Sequence, residues 1–244
     1  MRHTLPSDDA KSEQPASQPV DFQSFRALDP AGDAYEVTVA RTHWIESGED
    51  IVAVVRRYLG PRVKDGDCVI VSEKACVIAA GAGIPLVDVE VRPLARLLAR
   101  WVRPVGDSKG LSIPEKMQLV IDRTGRGRVL LATVAAAATR PFGVRGAFYV
   151  VAGDNARGMD GGRPPLEHLL LPPMDPREAF DLARRIEADA GVAAAVVDIN
   201  DRGGSIRALS PMAPPAKSLL QILAENPLGQ RDQSTPIGFV RRTG

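Results

Sequence analysis

The stretch DGDCVIVSEKACVIAAGAG, residues 65–83, predicts a buried strand between a turn and a glycine-rich stop. A turn at residues 65–67 opens it, and apolar residues follow on both faces, as in a strand covered on both sides. Glu73 and Lys74 fall in the middle of this predicted strand, where adjacent charges are costly unless they serve a purpose. Two interpretations stay open: an edge strand or a simple ion pair, and a functional pair in which Lys74 binds a triphosphate.

Strands and helices surround this stretch without strict alternation, which favours an α+β fold with mixed or antiparallel sheets and packed helices. Helical patterns occupy residues 47–60, 93–102, 114–124 and 174–191, whereas period-two or apolar patterns predict strands at 35–41, 128–139, 144–153, 192–201 and near the C-terminus. The clearest helix is MDPREAFDLARRIEADAG, with Asp175 as N-cap, Pro176 at the first position and an apolar face of Phe180, Ala183, Ile186 and Ala190. We expect the predicted strands 128–139 and 144–153 to pair antiparallel, because a short turn joins them.

The composition is that of a globular protein without a global charge. The 244 residues include 31 basic and 30 acidic ones, which gives a net charge of +1 and no reason to expect a nucleic acid or membrane partner. Residues 1–30 are polar and predict a disordered tail, which leaves 31–244 as one domain. Cys68 and Cys76 lack metal-ligand spacing, so we expect reduced, buried thiols and a cytoplasmic protein.

The familiar phosphate-binding loops are absent from the sequence. GAGIP lacks the third glycine of a dinucleotide-binding loop, and no P-loop pattern occurs. Two aspartates at predicted strand ends, Asp160 in GMDGG and Asp198 in VVDIND, stand out instead. They are either turn-forming residues or hard oxygen ligands of the kind that Mg²⁺ or Mn²⁺ takes together with phosphate.

Five segments in collinear order resemble the γ-glutamyl ligases of coenzyme F-420 biosynthesis. They are IESGEDIVAVV, DGDCVIVSEKACVIAAG, NARGMDGG, LLLPPMDPREAFDLARRI and AAVVDIND, within about residues 37–210. The resemblance implies an unusual α+β fold, a homodimer, and a GTP- or ATP-dependent ligase that adds L-glutamate or another amino acid to a small carboxylate acceptor through an acyl phosphate. It also implies Mg²⁺ or Mn²⁺ at Asp160 and Asp198, and nucleotide contacts from Arg41, Thr42, Glu73, Lys74 and Asn155.

The sequence departs from the family pattern at several positions. Ile78 stands where the family commonly has a nucleotide-contacting lysine, Arg157 is inserted in the N-A-G-x-D loop, and Ile199 replaces a threonine beside Asp198. The C-terminal stretch is short, and it offers Gln230, Asp232 and Thr235 as further candidates. These departures leave open a second hypothesis, a non-catalytic protein that binds a nucleotide or metabolite.

Overall fold

The computed structural model describes residues 20–102, 110–144, 146–162, 166–200, 203–229 and 234–243. The strands, in chain order, are β1 (Phe22–Leu28), β2 (Ala34–Ala40), β3 (Cys68–Ser72), β4 (Ile84–Pro85), β5 (Asp160–Gly161), β6 (Leu169–Leu171), β7 (Ala193–Asn200), β8 (Gly203–Leu209) and β9 (Ile237–Arg242). The α-helices are α1 (Ile51–Leu59), α2 (Glu73–Ala79), α3 (Pro93–Trp101), α4 (Pro114–Thr124), α5 (Arg126–Thr139), α6 (Ala147–Ala152), α7 (Asp154–Arg157), α8 (Pro176–Ala190) and α9 (Ala216–Ile222). No helix among these ranges is long and apolar enough to cross a membrane.

The main sheet has six strands in the order β1-β2-β9-β3-β7-β8, and a smaller sheet pairs β4, β6 and β5. All neighbouring strands run antiparallel except β3 and β7, which are parallel, with Cys68 opposite Ala193 and Ser72 opposite Val197. Because parallel strands end at the same edge of a sheet, the residues that follow Ser72 and Val197 lie side by side. The α+β prediction with mixed sheets is confirmed.

Side chains alternate between two apolar clusters on the two faces of the main sheet. Val69 and Val71 of β3 pack with residues of α1, α2 and α8, whereas Cys68 and Ile70 pack with α9 on the opposite face. Both faces are therefore covered, which explains the continuous apolar run in this strand. Burial raises the pKa of the Cys68 thiol to about 12. Cys76 is also free and buried, as predicted.

A third cluster forms a helical layer beside the sheet. It contains buried residues of α3, α4, α5, α6 and α7, with Met117 and Val120 of α4 among those least exposed. Helices α3 and α4 begin with proline at the first position, as the sequence predicts. Residues Trp101, Leu131 and Val150 of the same layer remain largely exposed.

The prediction of one strand through residues 65–83 is wrong beyond Ser72. The chain turns into α2 there, so Glu73 and Lys74 begin a helix instead of lying in the middle of a strand. Ala75, Cys76 and Ala79 of α2 are buried at helical spacing. A short apolar run fits either periodicity, and an acid in the first turn favours the helix.

The predicted antiparallel strands at 128–139 and 144–153 are also wrong. These residues form most of α5 and all of α6, which pack as helices in the third cluster. Alanine has the highest helix propensity, and α5 contains four consecutive alanines before its last residue, so propensity outweighs the apolar run.

The ordered chain begins earlier than predicted. Strand β1 lies inside the predicted tail of residues 1–30, and it pairs with β2 from Phe22 opposite Ala40 to Leu28 opposite Ala34. Residues 1–19 lie outside the described part of the chain. Polar residues along β1 masked the strand, because its side chains are mostly exposed at the edge of the sheet.

The other predicted helices are present, and the buried face of α8 differs from the prediction at one residue. Asp175 caps α8 by accepting from the backbone N–H groups of Arg177 and Glu178, and Gly191 ends the helix in the left-handed conformation. Ala183 and Ile186 are fully buried as predicted. Phe180 is not: it is 41% exposed, since the buried stripe runs through Ala179 and Leu182 instead.

Candidate active site

Five charged residues meet where the parallel pairing of β3 with β7 ends; we call them the sheet-edge cluster. They are Glu73, Lys74, Asp160, Asp198 and Arg207. The Lys74 Nζ atom lies 2.9 Å from an Asp160 carboxylate oxygen and 3.7 Å from an Asp198 carboxylate oxygen. The sequence-predicted aspartates are thus brought together around one ammonium group.

Each acid of the cluster reaches this edge on a different element. Asp198 follows Val197 on β7, next to the N-terminus of α2 that follows β3. Asp160 comes from the small sheet, where it lies opposite Leu171 of β6. The parallel pairing of two buried strands therefore fixes Lys74 beside Asp198, and the small sheet adds the second carboxylate.

Arg207 enters the cluster through an irregularity in β8. Val196 of β7 lies opposite Ala208, but the next residue, Val197, lies opposite Ile206, so Arg207 is an extra residue in its strand. Such bulges redirect a side chain. The Arg207 guanidinium lies 2.9 Å from Glu73 Oε1 through Nε and 3.6 Å from Asp198 Oδ2 through Nη2.

Glu73 is the buried member of the cluster, and it positions Arg207. Only 4% of Glu73 is exposed, and its Oε1 also accepts a 2.8 Å hydrogen bond from the Met174 backbone N–H. Burial raises the pKa of the Glu73 carboxyl above its ordinary value, and the charge of Arg207 and the Met174 hydrogen bond oppose that rise. The contacts of Glu73 within the protein make it a support for the site.

Two glycines of the loop NARGMDGG leave room for the cations of the site. A Cβ atom at Gly158 would come within 2.6 Å of Arg207 Nη2 and within 2.9 Å of Pro173 Cβ. A Cβ atom at Gly161 would come within 3.3 Å of Lys116 Nζ. The glycines at these two positions therefore admit long basic side chains from other elements.

A cavity of about 420 Å³ lies beside Asp160 and is lined largely by residues of the helical layer. Lys116 of α4, Tyr149 of α6 and Arg157 of α7 supply polar groups to its wall, and Leu111 and Met159 supply apolar ones. Burial, and then the Asp160 charge, raise the pKa of the Tyr149 hydroxyl, so it stays neutral at physiological pH. Asp160 thus borders both the sheet-edge cluster and this cavity.

The donor set of the cluster fits one class of metal site. Among the described residues, no group of three or more His, Cys, Asp or Glu side chains is arranged to hold an ion. Asp160 and Asp198, however, both lie next to the Lys74 ammonium group, so their carboxylates face one common point. Mg²⁺ usually takes only one or two protein carboxylates together with water and phosphate oxygens. The residues fit Mg²⁺ or Mn²⁺ bound with a polyphosphate, and they do not fit a cage built by protein alone.

The predicted loop around Arg41 and Thr42 is held by the C-terminal segment. The Thr42 backbone N–H donates to the Ser234 carbonyl at 2.8 Å, and the Ser234 hydroxyl donates to the carbonyls of Thr42 and His43. The His43 ring lies between Glu49 Oε2, 2.6 Å from Nε2, and the hydroxyl group of Tyr58, 2.8 Å from Nδ1. The loop is therefore fixed by contacts of its own, while the Arg41 side chain stays exposed.

The remaining residues predicted for the site either make contacts outside the cluster or lie outside the described part of the chain. The Asn155 side-chain amide donates to the Arg123 carbonyl at 3.3 Å, and the buried Thr235 hydroxyl donates to the Leu228 carbonyl. Ile78 packs against the apolar cluster shared by α1, α2 and α8. Gln230 and Asp232 lie outside the described residues.

Sequence reasoning missed Arg207, Lys116 and Tyr149. A signal existed for Arg207, because an arginine between Ile206 and Ala208 interrupts a strand just as Glu73 and Lys74 interrupt an apolar run. Its direction depends on the bulge, which no local pattern shows. Lys116 is only 6% exposed within α4. A single lysine in an amphipathic helical pattern does not indicate from the sequence that its side chain is buried.

A comparison with protein families assigns the chain to one of them. The model of the family described as F420-0:Gamma-glutamyl ligase matches residues 40–241, which is most of the 244-residue chain, and the chain belongs to this family. No curated protein matches the chain significantly. The family is one of ligases, and this supports a γ-glutamyl ligase-type function in general terms.

Proposed function

We propose that this member of the γ-glutamyl ligase family is a cytoplasmic amide ligase that uses GTP or ATP with Mg²⁺ or Mn²⁺. It joins L-glutamate or another amino acid to a small carboxylate acceptor. The observation that carries the proposal is that one carboxylate oxygen each of Asp160 and Asp198 lies within 3.7 Å of Lys74 Nζ, where the parallel pairing of β3 with β7 ends. Ligands of open sheets commonly bind at such strand ends.

The charges of the cluster favour a metal-bound polyphosphate over a free one. Its members are three carboxylates and two cations, so the cluster is formally negative and repels a polyphosphate alone. A divalent ion, when bound, neutralises phosphate charge and orients the phosphate oxygens. Asp160 and Asp198 would hold the ion, and Lys74 would turn its ammonium from the carboxylates to the phosphate.

The proposed reaction proceeds in two displacements. An acceptor carboxylate oxygen attacks the terminal phosphorus of the nucleotide, the bond from that phosphorus to the bridging oxygen breaks, and the nucleoside diphosphate leaves. The glutamate amine then attacks the acyl phosphate at carbon, inorganic phosphate leaves, and the amine proton is released. Lys74 and Arg207 stabilise the charge that develops on phosphate, which is electrostatic catalysis on groups already positioned by Glu73 and Asp198.

Calorimetric titration with GTP and MnCl₂ tests the nucleotide site. We expect binding by the wild type, weakening of at least about a hundredfold in Asp160→Asn or Asp198→Asn, and no binding without the metal. Asp181→Asn is the control, because Asp181 lies exposed on α8 and outside the cluster. Equal affinity in all variants would show that the cluster does not bind the nucleotide, and a parallel ATP titration decides between the two nucleotides.

A second hypothesis is a binding protein without turnover. It is favoured by Ile78, which packs into the core at a position where the resemblance implies a nucleotide-contacting lysine. Release of inorganic phosphate, measured with GTP, Mn²⁺, L-glutamate and a panel of small carboxylates, separates the two. Phosphate release that requires both glutamate and an acceptor supports the ligase, whereas tight nucleotide binding without release supports the second hypothesis.

We also propose that the chain forms a homodimer through the outer face of α5. Leu130, Leu131 and Val134 are 45%, 62% and 64% exposed and lie on this helix. Exposed apolar patches of this kind mark interaction surfaces. Light scattering should give twice the chain mass for the wild type and a smaller mass for Leu131→Asp with Val134→Asp, and a monomeric wild type would exclude the dimer.

A further inference from the structure

The cavity beside Asp160 has the size and the wall of a site for a small molecule. Its volume of about 420 Å³ lies in the range of ligand pockets, and its wall combines apolar side chains with a few polar groups. Lys74, Asp198 and Arg207 contact each other or Asp160 on the sheet side. Asp160 therefore separates a place for phosphate from a place for a second substrate.

Two cationic side chains, Lys116 and Arg157, belong to the wall of the cavity. Lys116 is 6% exposed, so its charge is held inside the protein next to the backbone of Gly161. Arg157 lies at the end of α7, and its guanidinium has no ion pair or hydrogen bond with any other described residue. The opposing Asp160 carboxylate is already paired with Lys74. Within the described part of the chain, the Arg157 guanidinium is therefore available for an anion.

We propose that this cavity binds the acceptor, and that Arg157 determines specificity by pairing with a second anionic group of that acceptor. The inference rests on the proposed ligase function, which requires a carboxylate at the Asp160 end, next to the phosphate. Arg157 lines the same cavity but belongs to α7, so it meets a different part of the molecule. A planar guanidinium suits a carboxylate or phosphate because it donates two parallel hydrogen bonds.

The apolar part of the cavity wall indicates the chemistry of the acceptor between its two anionic groups. Leu111, Val150 and Met159 contribute hydrophobic surface, and the Tyr149 ring lies among them with a neutral hydroxyl. A compact apolar or aromatic body fits these neighbours, whereas a flexible polar chain would leave them against water. The acceptor class is therefore a small dianion with an apolar centre.

Terephthalate and benzoate test the second anionic group, because terephthalate carries a second carboxylate on the opposite side of the same benzene ring. Saturation-transfer NMR titrations should show terephthalate binding to the wild type roughly tenfold more tightly than benzoate. The ratio should fall to about one in Arg157→Gln and recover in part in Arg157→Lys. Arg177→Gln, a change of an exposed arginine on α8, should keep the wild-type ratio. No preference in the wild type, or the same preference in Arg157→Gln, would overturn the inference.

The nucleotide titration separates failure of this inference from failure of the proposed function. If GTP with Mn²⁺ binds through Asp198 but the affinity for terephthalate does not depend on Arg157, the ligase site stands and the acceptor assignment is wrong. If the affinity for terephthalate depends on Arg157 but GTP with Mn²⁺ does not bind, the anion pocket stands and the ligase proposal is wrong.

Discussion

The main sheet and the helical layer bury their apolar side chains in different ways. Val69 and Ile70 of β3 point to opposite faces, and both are fully buried. In the helical layer, α3 buries Ala95 but leaves Trp101 72% exposed. A strand that is covered on both faces fixes the position of the residues that follow it. Helices that are buried on one side only leave apolar surface exposed to solvent and leave room for a cavity. We infer that the sheet carries the chemistry common to the family and that the helical layer carries the choice of substrate.

Removing a large side chain from the sheet core should have the largest effect on stability. Ile186→Ala deletes a fully buried side chain that packs α8 on the sheet, and we expect a loss of about 4 kcal/mol in the free energy of unfolding. Leu97→Ala in α3, where the side chain is 53% exposed, should change it by less than about 0.5 kcal/mol. Urea denaturation measures both, and similar losses would remove the contrast between the two regions.

The next effect comes from the support beneath the cluster. Glu73→Ala leaves the half-buried Arg207 without its nearest carboxylate and the Met174 N–H without an acceptor, and we expect a loss of about 3 kcal/mol in the free energy of unfolding. Asp189→Ala breaks a surface pair with Arg56 and serves as the control, with little change expected. A small loss in Glu73→Ala would mean that Arg207 finds other partners.

Replacing a glycine by alanine should change the free energy of unfolding with opposite signs in the two regions. Gly158→Ala places a Cβ atom against Arg207 and Pro173, so we expect a loss of about 2 kcal/mol together with weaker nucleotide binding. Gly127→Ala in α5 meets no atom within 4 Å and should gain up to about 1 kcal/mol from helix propensity. Thermal and urea unfolding of the two variants would contradict this if both changes had the same sign.

The same contrast explains how much of the molecule the sequence predicts. Strand β7 and the capped helix α8 follow local rules, and Asp198 lies near the end of β7 as predicted, whereas Asp160 follows helices α6 and α7 where the sequence predicted a strand. The helices α5 and α6 were missed because a continuous apolar run has no clear period. Arg207 owes its direction to a bulge set by pairing with β7, a tertiary property that the sequence of β8 does not show.

The smallest effect expected is a pH dependence that comes from Glu73. Its pKa is raised in the folded protein, chiefly by burial, above the ordinary value of 4.5. The folded state therefore binds the proton more tightly than the unfolded state does, so this carboxyl contributes stability below pH 4.5 that is lost as the pH rises through the folded pKa. Glu73→Gln, a neutral group of the same shape, should lack that loss. The wild type should thus lose stability relative to Glu73→Gln as the pH rises above 4.5, and urea titrations at several pH values measure the difference. A difference that grows in favour of the wild type would mean that Arg207 outweighs burial, and the sheet edge would then hold Glu73 as a stabilising ion pair.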